Sequence, residues 1–489
     1  MNEAIRALQP TELWNHFADI NAIPRASKKE EKIIEFIKSF GENLHLDTHV
    51  DEVGNVIIKK SASKGMENRV VVCLQSHLDM VHQKNETTNF DFDKDGIDML
   101  IENNWVTANG TTLGADNGIG VATILSILAS STIEHPPIEA LFTIDEETGM
   151  TGAMGLKGGL LDAKILLNLD TEEDNELTIG CAGGIDITAS GEYETATADS
   201  SFEFYKVSLK GLTGGHSGID IHKGRANANK LMNRFLILAN EKFGIQVQSI
   251  DGGSLRNAIP RESFSVIAIE ANQYAAFTLF VQEMAEIFKA EYKTTDSNLN
   301  LTIQSYSTGN EVINSKFTLQ LLQTIYACPN GIYRMSPDIK DLVQSSNNLS
   351  RVLVQDGKYS IQCLTRSSVE TEKMDLALAI KSTFSLLHAN IVYGGSYPGW
   401  QARPEAGIVK MMTALYSTLH EGEIPLVNAC HAGLECGILG TNYPQMEMIS
   451  FGPTIHGAHS PDEKVSIASV EKFWAYLLET LKSIPVAAL

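Results

Sequence analysis

Three short apolar segments, each followed by a side chain that can bind a metal ion, constrain the fold of this chain most strongly. In chain order they are 69–75 before His77, 139–144 before Glu147, and 164–169 before Asp170. Continuous apolar runs of this length that alternate with helical segments predict a mostly parallel sheet with helices on both faces. Sheets of this kind place their sites beyond the carboxyl ends of the strands. The pattern therefore predicts an α/β fold with these three side chains at one edge of the sheet.

Two further candidate ligands lie outside the three segments. Asp116 comes just before the helical segment 118–128, and His459 lies in the motif His-Gly-Ala-His-Ser-Pro at 456–461. Exposed N–H groups at the start of a helix favour an anion such as Asp116. Two imidazoles and three carboxylates suit Zn²⁺ and its first-row neighbours. Two such ions close together can activate water and hold a reacting carbonyl, so the set indicates a hydrolase.

The neighbours of these ligands also have predicted roles. Asp79, two residues after His77, is expected to accept a hydrogen bond from the far ring nitrogen and to fix the tautomer; a simple turn aspartate is the alternative. Glu146 and Glu147 are adjacent and would point in opposite directions in extended chain. One could bind metal while the other acts as a base toward water. The residues themselves leave open which glutamate does which.

Composition excludes several classes of protein. The formal net charge of −22 and the pI of about 5.0 argue against nucleic-acid binding. We expect no membrane span, because no apolar run reaches about 20 residues. The first residues lack the pattern of a signal peptide, and the six cysteines show no short paired spacing. They are predicted to be free thiols, several of them buried, in a reducing compartment, so we expect a cytoplasmic protein.

The length of 489 residues predicts two or more domains. After the glycine-rich segment 180–184 the pattern becomes β-α-β-β-α-β over 202–306, the order of a ferredoxin-like unit. The order repeats in part over 316–393. The α/β pattern then returns with His459. We therefore predict a discontinuous metal domain, 1–184 with 397–489, and an inserted domain, 185–396, made of two ferredoxin-like α+β units.

Five sequence blocks resemble those of the co-catalytic zinc metallopeptidases. The blocks are Ser-His-Leu-Asp at 76–79, Leu-Gly-Ala-Asp-Asn-Gly at 113–118, Asp-Glu-Glu-Thr-Gly at 145–149, Asn-Leu-Asp at 168–170 and the motif at 456–461. Within that superfamily the chain looks most like the cytosolic aminoacyl-histidine (Xaa-His) dipeptidases. Segments 113–120, 180–184 and 431–437 carry this closer similarity, which runs over the whole chain.

For the metal site, the resemblance implies two zinc ions per chain, with cobalt or manganese as other possible metals. The implied ligands are His77 and Asp170 for one ion, Glu147 and His459 for the other, and Asp116 as the bridge. Glu146 would be the general base for a zinc-bridging water, and Asp79 would orient His77.

For the inserted domain, the resemblance implies a lid. His216, in the loop 214–218, would stabilise the oxyanion; from the residues alone, a plain loop is an equally good interpretation. Asn257 and Arg366 would hold the substrate carbonyl and its C-terminal carboxylate, although Arg366 could also be a surface arginine. Gly395 would offer a backbone contact near the hinge. In a homodimer His216 could act on the partner's site, but the two-unit lid favours action within its own chain.

The implied activity is hydrolysis of dipeptides with free termini, including Xaa-His dipeptides such as β-Ala-His. One alternative is an N-acyl amino acid amidohydrolase, which does not need a free amino group on its substrate. The other is a metal-binding homologue without catalysis. The presence of Glu146 argues against this second alternative, because a protein that only holds metal needs no base beside the water.

Overall fold

A computed structural model of the chain describes residues 2–307 and 309–487. The helices are α1 (Glu3–Arg6), α2 (Thr11–Asn21), α3 (Glu31–Asn43), α4 (Ala115–Ala129), α5 (Glu146–Gly149), α6 (Thr151–Gly155), α7 (Ala228–Phe243), α8 (Tyr274–Glu291), α9 (Ser315–Ala327), α10 (Glu370–Ser385), α11 (Gly407–Leu419), α12 (Glu435–Asn442) and α13 (Ile467–Ser483). The strands are β1 (Asp47–Val50), β2 (Val56–Lys60), β3 (Val72–His77), β4 (Met99–Glu102), β5 (Trp105–Ala108), β6 (Ile138–Thr143), β7 (Ile165–Asn168), β8 (Glu176–Cys181), β9 (Gly183–Glu192), β10 (Thr195–Thr197), β11 (Phe202–Lys210), β12 (Gln246–Gly253), β13 (Ser263–Glu270), β14 (Asn300–Ser305), β15 (Glu311–Ile313), β16 (Gly331–Met335), β17 (Val343–Gln355), β18 (Lys358–Ser367), β19 (Asn390–Tyr397), β20 (Leu426–Cys430), β21 (Glu447–Ser450), β22 (Ile455–His456) and β23 (Lys464–Ser466).

The contacts within the chain divide it into two units. Unit 1 comprises Met1–Gly180, Trp400–Ala429 and Leu434–Leu489, and unit 2 comprises Cys181–Gly399 and Cys430–Gly433. The assignment of 1–184 with 397–489 as the metal domain, and of 185–396 as the inserted domain, stays a prediction.

Unit 1 is built on an eight-stranded sheet in the order β1-β2-β6-β3-β7-β21-β8-β20. The central strands β6, β3, β7 and β21 are parallel; β2 pairs antiparallel with β6, and β1 pairs antiparallel with β2. All residues of β3 and β6 are buried, which agrees with the mostly apolar sequences of the segments 69–75 and 139–144. Helix α4 packs on β3 and is buried almost all round, which suits a helix in the core of a large domain.

Unit 2 is built on a nine-stranded sheet, in which eight strands follow the order β14-β11-β13-β12-β17-β18-β9-β19 and β16 pairs with β17. The first half, with α7 and α8, has its four strands in the order 4-1-3-2, that of a ferredoxin-like fold. The second half has the same order, with β9, β17, β18 and β19 as its strands and α9 and α10 as its helices. The two halves join through antiparallel pairing of β12 with β17.

The second ferredoxin-like unit begins earlier in the sequence than its pattern predicts. Its first strand, β9, starts at Gly183 and precedes the whole first unit. The segment 180–184 was predicted only as a glycine-rich boundary, because glycine weakens the strand signal. Gly183 is required by close packing: a Cβ there would lie 2.5 Å from the backbone oxygen of Tyr397. The partial repeat predicted over 316–393 is therefore a complete unit with a displaced first strand.

The cysteines and the helices bear on two predictions made from composition. Among the described residues the six cysteines form no disulfide, and each is buried except Cys430, which is half-buried. Within residues 2–307 and 309–487, every helix is too short or too polar to cross a membrane.

Candidate active site

His77 is the last residue of β3, and its ring belongs to the first of two clusters of potential metal ligands at the carboxyl edge of the sheet. The side chain is 1% exposed, and Nε2 lies 3.1 Å from Asp116 Oδ1 and 3.4 Å from Asp170 Oδ1. Asp170 follows β7, the parallel neighbour of β3. One potential ligand atom from each of these three residues lies within 4.8 Å of the other two, so the three side chains could hold one metal ion.

A second group of three shares Asp116. His459 Nε2 lies 3.2 Å from Asp116 Oδ2 and 3.0 Å from Glu147 Oε2. These three ligand atoms also lie within 4.8 Å of one another. Each oxygen of Asp116 thus faces a different histidine, which is the arrangement expected of a carboxylate that bridges two ions. The structure brings all five predicted ligands together.

The backbone around Asp116 is held by a residue that the sequence analysis missed. The buried carboxylate of Glu463 accepts hydrogen bonds from the N–H groups of Leu113, Gly114, Ala115 and Asp116, at 2.7–3.2 Å. Burial raises the pKa of Glu463 to about 7, and the backbone N–H groups oppose that rise. Because every one of these contacts is a donor, the ionised carboxylate fits the site. The only feature of the sequence that could have indicated Glu463 is its position four residues after the predicted ligand His459.

Arg25 is a second missed residue beneath the ligands. Its fully buried guanidinium donates to the carbonyl oxygens of Leu78, Asp79 and Gly114, at 2.6–3.1 Å. It therefore ties the segment after His77 to the segment before Asp116. In the sequence Arg25 stands alone between two helices, with no feature that marks it.

Asp79 contacts His77 through both its backbone oxygen and its carboxylate. His77 Nδ1 lies 3.1 Å from the backbone oxygen of Asp79 and 3.4 Å from its carboxylate. The carboxylate also accepts from the Ser27 hydroxyl and from the N–H groups of Glu146 and Glu147. Burial would raise the pKa of Asp79, but the interactions with His77 outweigh it and lower the pKa to about 2. An ionised Asp79 thus contacts the ring of His77 and accepts from the backbone of both glutamates, and its role in orienting His77 stays a prediction.

Glu146 and Glu147 form the first turn of α5. Burial raises the pKa of Glu146 well above its ordinary value; nearby His77 opposes this, and the surrounding carboxylates reinforce it. A carboxyl group with a raised pKa suits a residue that exchanges a proton near neutral pH. Glu147 Oε2 instead points at His459. The structure therefore separates the two glutamates: Glu147 belongs to the ligand group.

The pKa shifts of His459 and Asp170 and the burial of the predicted carboxylate ligands suit a site for cations. Hydrogen bonds with Asp116 and Glu147 raise the pKa of His459 to about 11. Burial raises the pKa of Asp170 to about 6, against the influence of His77. Glu147 Oε1 is buried without a hydrogen-bond partner among the described residues, and the buried Asp170 Oδ1 has only the long 3.4 Å contact with His77 Nε2. Buried carboxylate oxygens are costly unless paired, so these residues fit divalent metal ions that would occupy both groups.

A third acidic group, Glu30, Asp79 and Asp145, is fully buried. Its carboxylates accept hydrogen bonds from backbone N–H groups and from hydroxyls, including Thr151 Oγ1 to Asp145 at 2.7 Å. These contacts explain the group as support for the turn before α5.

Unit 2 contains a separate cluster of donors around Arg366. The guanidinium is 4% exposed. Its Nη1 donates to the hydroxyl of Tyr397 at 2.8 Å, its Nε lies 3.4 Å from the hydroxyl of Ser217, and its Nη2 lies 3.5 Å from Nε2 of His216. The structure thus brings the predicted residues His216 and Arg366 together. Tyr397 and Ser217 were not predicted, although each lies beside a predicted residue.

The protonation of His216 follows from its neighbours. Its Nδ1 accepts hydrogen bonds from the N–H groups of Gly218 and Ile219, at 3.2 and 3.0 Å. Burial, followed by the charge of Arg366, lowers the pKa of His216 to about 4. The neutral ring therefore carries its proton on Nε2. Nε2–H and the Arg366 guanidinium are both donors, so the two groups converge as a site for an anion.

The remaining predicted substrate residues are placed less directly. The side chain of Asn257 is exposed, and its backbone oxygen accepts from Ser217 N–H at 2.7 Å. Gly395 is exposed and has a φ of 52°, within an irregularity of β19 between Gly394 and Tyr397. This irregularity precedes the tyrosine that binds Arg366. Both residues shape the backbone near the cluster, and their contact with substrate stays a prediction.

Two imidazoles and three carboxylates that meet in two groups around Asp116 are the side chains expected of a metal-dependent hydrolase. The chain belongs to Peptidase family M20/M25/M40, whose sequence profile matches residues 73–483. It is 43% identical over 478 residues to the cytosol non-specific dipeptidase of Escherichia coli K12, which covers 98% of each chain. It is 41% identical to the aminoacylhistidine dipeptidase of Vibrio alginolyticus, whose crystal structure matches with a TM-score of 0.93 over 100% of both chains.

The aminopeptidase PepT of Bacillus cereus shares the fold at 14% identity, with a TM-score of 0.57 over 98% of this chain and 99% of that one. These comparisons confirm the predicted superfamily, the α/β fold and the hydrolytic class of the chain. Membership of this metallopeptidase family also implies divalent metal ions.

Proposed function

We propose that the chain is a metallodipeptidase that hydrolyses dipeptides with free termini. The observation that carries the proposal is the pair of ligand groups that share Asp116. The high similarity to two dipeptidases over nearly the whole chain supports the substrate class. We further propose that Xaa-His dipeptides such as β-Ala-His are among the substrates, and that the protein acts in the cytoplasm.

We propose that two zinc ions bind per chain, one to His77, Asp116 and Asp170 and the other to Asp116, Glu147 and His459. Bound divalent cations would polarise the peptide carbonyl and lower the pKa of a water molecule. Five ligand positions exceed what one tetrahedral site uses, which supports the number two.

Glu146 is the proposed general base. It neighbours the ligand Glu147 at the start of α5, and Asp79 accepts the backbone N–H of both. Glu146 takes a proton from the attacking water and later delivers one to the leaving amine. The raised pKa of Glu146 supports both steps, because a carboxyl group must hold the proton between them.

The donors of unit 2 are the proposed recognition groups for the substrate. The Arg366 guanidinium can bind the C-terminal carboxylate through parallel hydrogen bonds. His216 Nε2–H can donate to the oxyanion that forms at the carbonyl, an interaction worth about 3–4 kcal/mol in other hydrolases. Asn257 and Gly395 are proposed as additional contacts to the substrate.

The test compares substrates on protein of known metal content. Free dipeptides, their N-acetylated forms and their C-terminal amides are assayed with the metal-loaded chain. We expect about two metal ions per chain, cleavage of the free dipeptides, and loss of activity on chelation that returns with added zinc. A saturating content of one ion would contradict the paired site. Preferential cleavage of N-acetylated substrates would instead indicate an N-acyl amino acid amidohydrolase.

A further inference from the structure

Unit 2 includes the short segment Cys430–Gly433, although the chain on both sides of it belongs to unit 1. The segment contributes one histidine, His431, which is 7% exposed. Its Nε2 lies 2.7 Å from the hydroxyl of Ser346, and the ring also hydrogen-bonds with the backbone of Val343. Burial, followed by the charge of Arg366, lowers the pKa of His431 to about 3. The ring is therefore a neutral, fixed part of this unit at neutral pH.

The side chain of His431 is linked to Arg366 through Ser346. Ser346 on β17 pairs directly with Arg366 on β18. Directly opposed residues of antiparallel strands project to the same face, with their Cβ atoms about 4.5–5.5 Å apart. Ser346 is 1% exposed, so its hydroxyl has little freedom apart from its bond to His431. The His431–Ser346 pair thus borders the place where the guanidinium must lie.

The main chain of His431 is linked to His216 through Gly218. A methyl group on Gly218 would overlap the carbonyl oxygen of His431, so the turn that carries His216 packs directly on the His431 backbone. The N–H of Gly218 is one of the two donors to His216 Nδ1. Movement of the His431 backbone would therefore move the groups that fix the ring of His216.

Arg366 and His216 need such support because they do not bind each other. Arg366 Nη2 and His216 Nε2 lie 3.5 Å apart, and both are donors. Their spacing is therefore set by surrounding groups and not by mutual attraction. His431 contacts the surroundings of both, through its ring on one side and its carbonyl on the other.

We propose that His431 is a positioning residue that sets the spacing of Arg366 and His216 and so the recognition of the substrate carboxylate. The inference rests on the proposed function, in which these two donors bind the substrate. It adds to that function a residue that acts through its neighbours and touches no reacting atom.

The test measures kcat and KM for a good dipeptide and for its C-terminal amide. The ratio of the two kcat/KM values reports carboxylate recognition. In His431→Phe, which keeps a ring but loses both nitrogens, we expect the ratio to fall about tenfold or more, because small misplacements of binding groups cost up to about 10² in rate. His431→Gln, which retains a polar partner for Ser346, should recover part of the ratio. Ser346→Ala should show a smaller fall and serves if His431→Phe folds poorly.

Two further variants separate positioning from general stability. His135 in unit 1 is 2% exposed and hydrogen-bonds Pro136 O at 2.8 Å; His135→Phe should lower the melting temperature without changing the ratio. In the double variant of His431→Phe with Arg366→Ala, we expect the ratio to equal that of Arg366→Ala alone, because one change acts through the other.

The inference is overturned if His431→Phe and Ser346→Ala both keep the wild-type ratio, or if His135→Phe changes it equally. The comparison can also be made by equilibrium binding. Each variant is then combined with Glu146→Gln, which slows turnover, and the ratio of the dissociation constants of the dipeptide and its amide is measured. If the wild-type chain hydrolyses dipeptides and the His431 variants keep the wild-type ratio, the inference alone is contradicted. A chain that neither binds nor cleaves any dipeptide contradicts the proposed function and the inference together.

Discussion

At the scale of single residues, Asp116 connects the two ligand groups. Each of its oxygens faces a different histidine, at 3.1 and 3.2 Å. Its position depends on a backbone that departs from helical geometry at the start of α4 and on the four N–H groups held by Glu463. The proposed bridge is therefore a property of the segment around Asp116 as well as of its carboxylate.

The adjacent glutamates should respond differently to the same change. We expect Glu146→Gln to retain its metal content and to lose about 10²-fold or more in kcat, because an amide cannot accept the proton of the water. Glu147→Gln should lower the metal content, because Glu147 is a proposed ligand in the second group. Metal analysis and steady-state kinetics on both variants check this. Loss of metal in Glu146→Gln with full retention in Glu147→Gln would exchange the two assignments.

The ligand types and their places at strand ends could be predicted from the sequence, because strands and metal-binding side chains both leave local signals. The supporting residues could not. Arg25 and Glu463 act on backbone groups that are 53 to 350 positions away in the sequence, and His431 meets Ser346 across 85 positions. Their roles depend on tertiary contacts, for which a single chain gives no periodic or compositional pattern.

At the scale of elements, the start of α4 is held from outside the helix. The α4 N-cap is Gly114, with a φ of 71°, and no side chain caps the helix locally. Glu463, which follows His459 in the turn before β23, supplies the missing acceptor to residues 113–116. The same stretch of chain thus provides one metal ligand and the support for another.

Glu463→Gln tests that support. An amide turns its NH₂ group toward backbone N–H donors and leaves at least one of them without an acceptor. We expect metal affinity to fall about 10–100-fold, the effect typical of lost support behind a ligand. Calorimetric titration of metal into the stripped protein measures it. The neighbouring Asp462 is exposed, so Asp462→Asn is the matched control. Equal affinities of Glu463→Gln and wild type would show that Asp116 is positioned without the carboxylate.

The elements also show why the second ferredoxin-like unit was predicted only in part. Strands such as β11 alternate between buried and half-buried residues over much of their length, and their pattern is visible in the sequence. The first strand of the second unit, β9, begins with two glycines that pack against neighbouring backbone or ring atoms. Glycine allows such a close approach because it has no side chain, and a strand prediction depends on the pattern of side chains.

At the scale of the whole molecule, unit 2 contains two ferredoxin-like units that are joined edge to edge in one sheet. Strand β12 would be an edge strand in a single unit of this order, with free N–H and C=O groups. Here β12 pairs with β17 through four residue pairs from Ile250↔Val354 to Gly253↔Arg351. An edge that could pair with a second chain is thus covered by the same chain.

This arrangement predicts that His216 acts within its own chain. Both residues belong to unit 2: Arg366 is on β18 of the second ferredoxin-like unit, and His216 is in the loop after β11 of the first. His216→Ala should reduce kcat about 10²–10³-fold through loss of one oxyanion donor, with metal content unchanged. Mixing His216→Ala chains with Glu146→Gln chains, under conditions that allow any subunits to exchange, should give no more activity than the sum of the two variants assayed separately. Restored activity in the mixture would show that the histidine of one chain serves the metal centre of a partner, and would place a homodimer at the core of the mechanism.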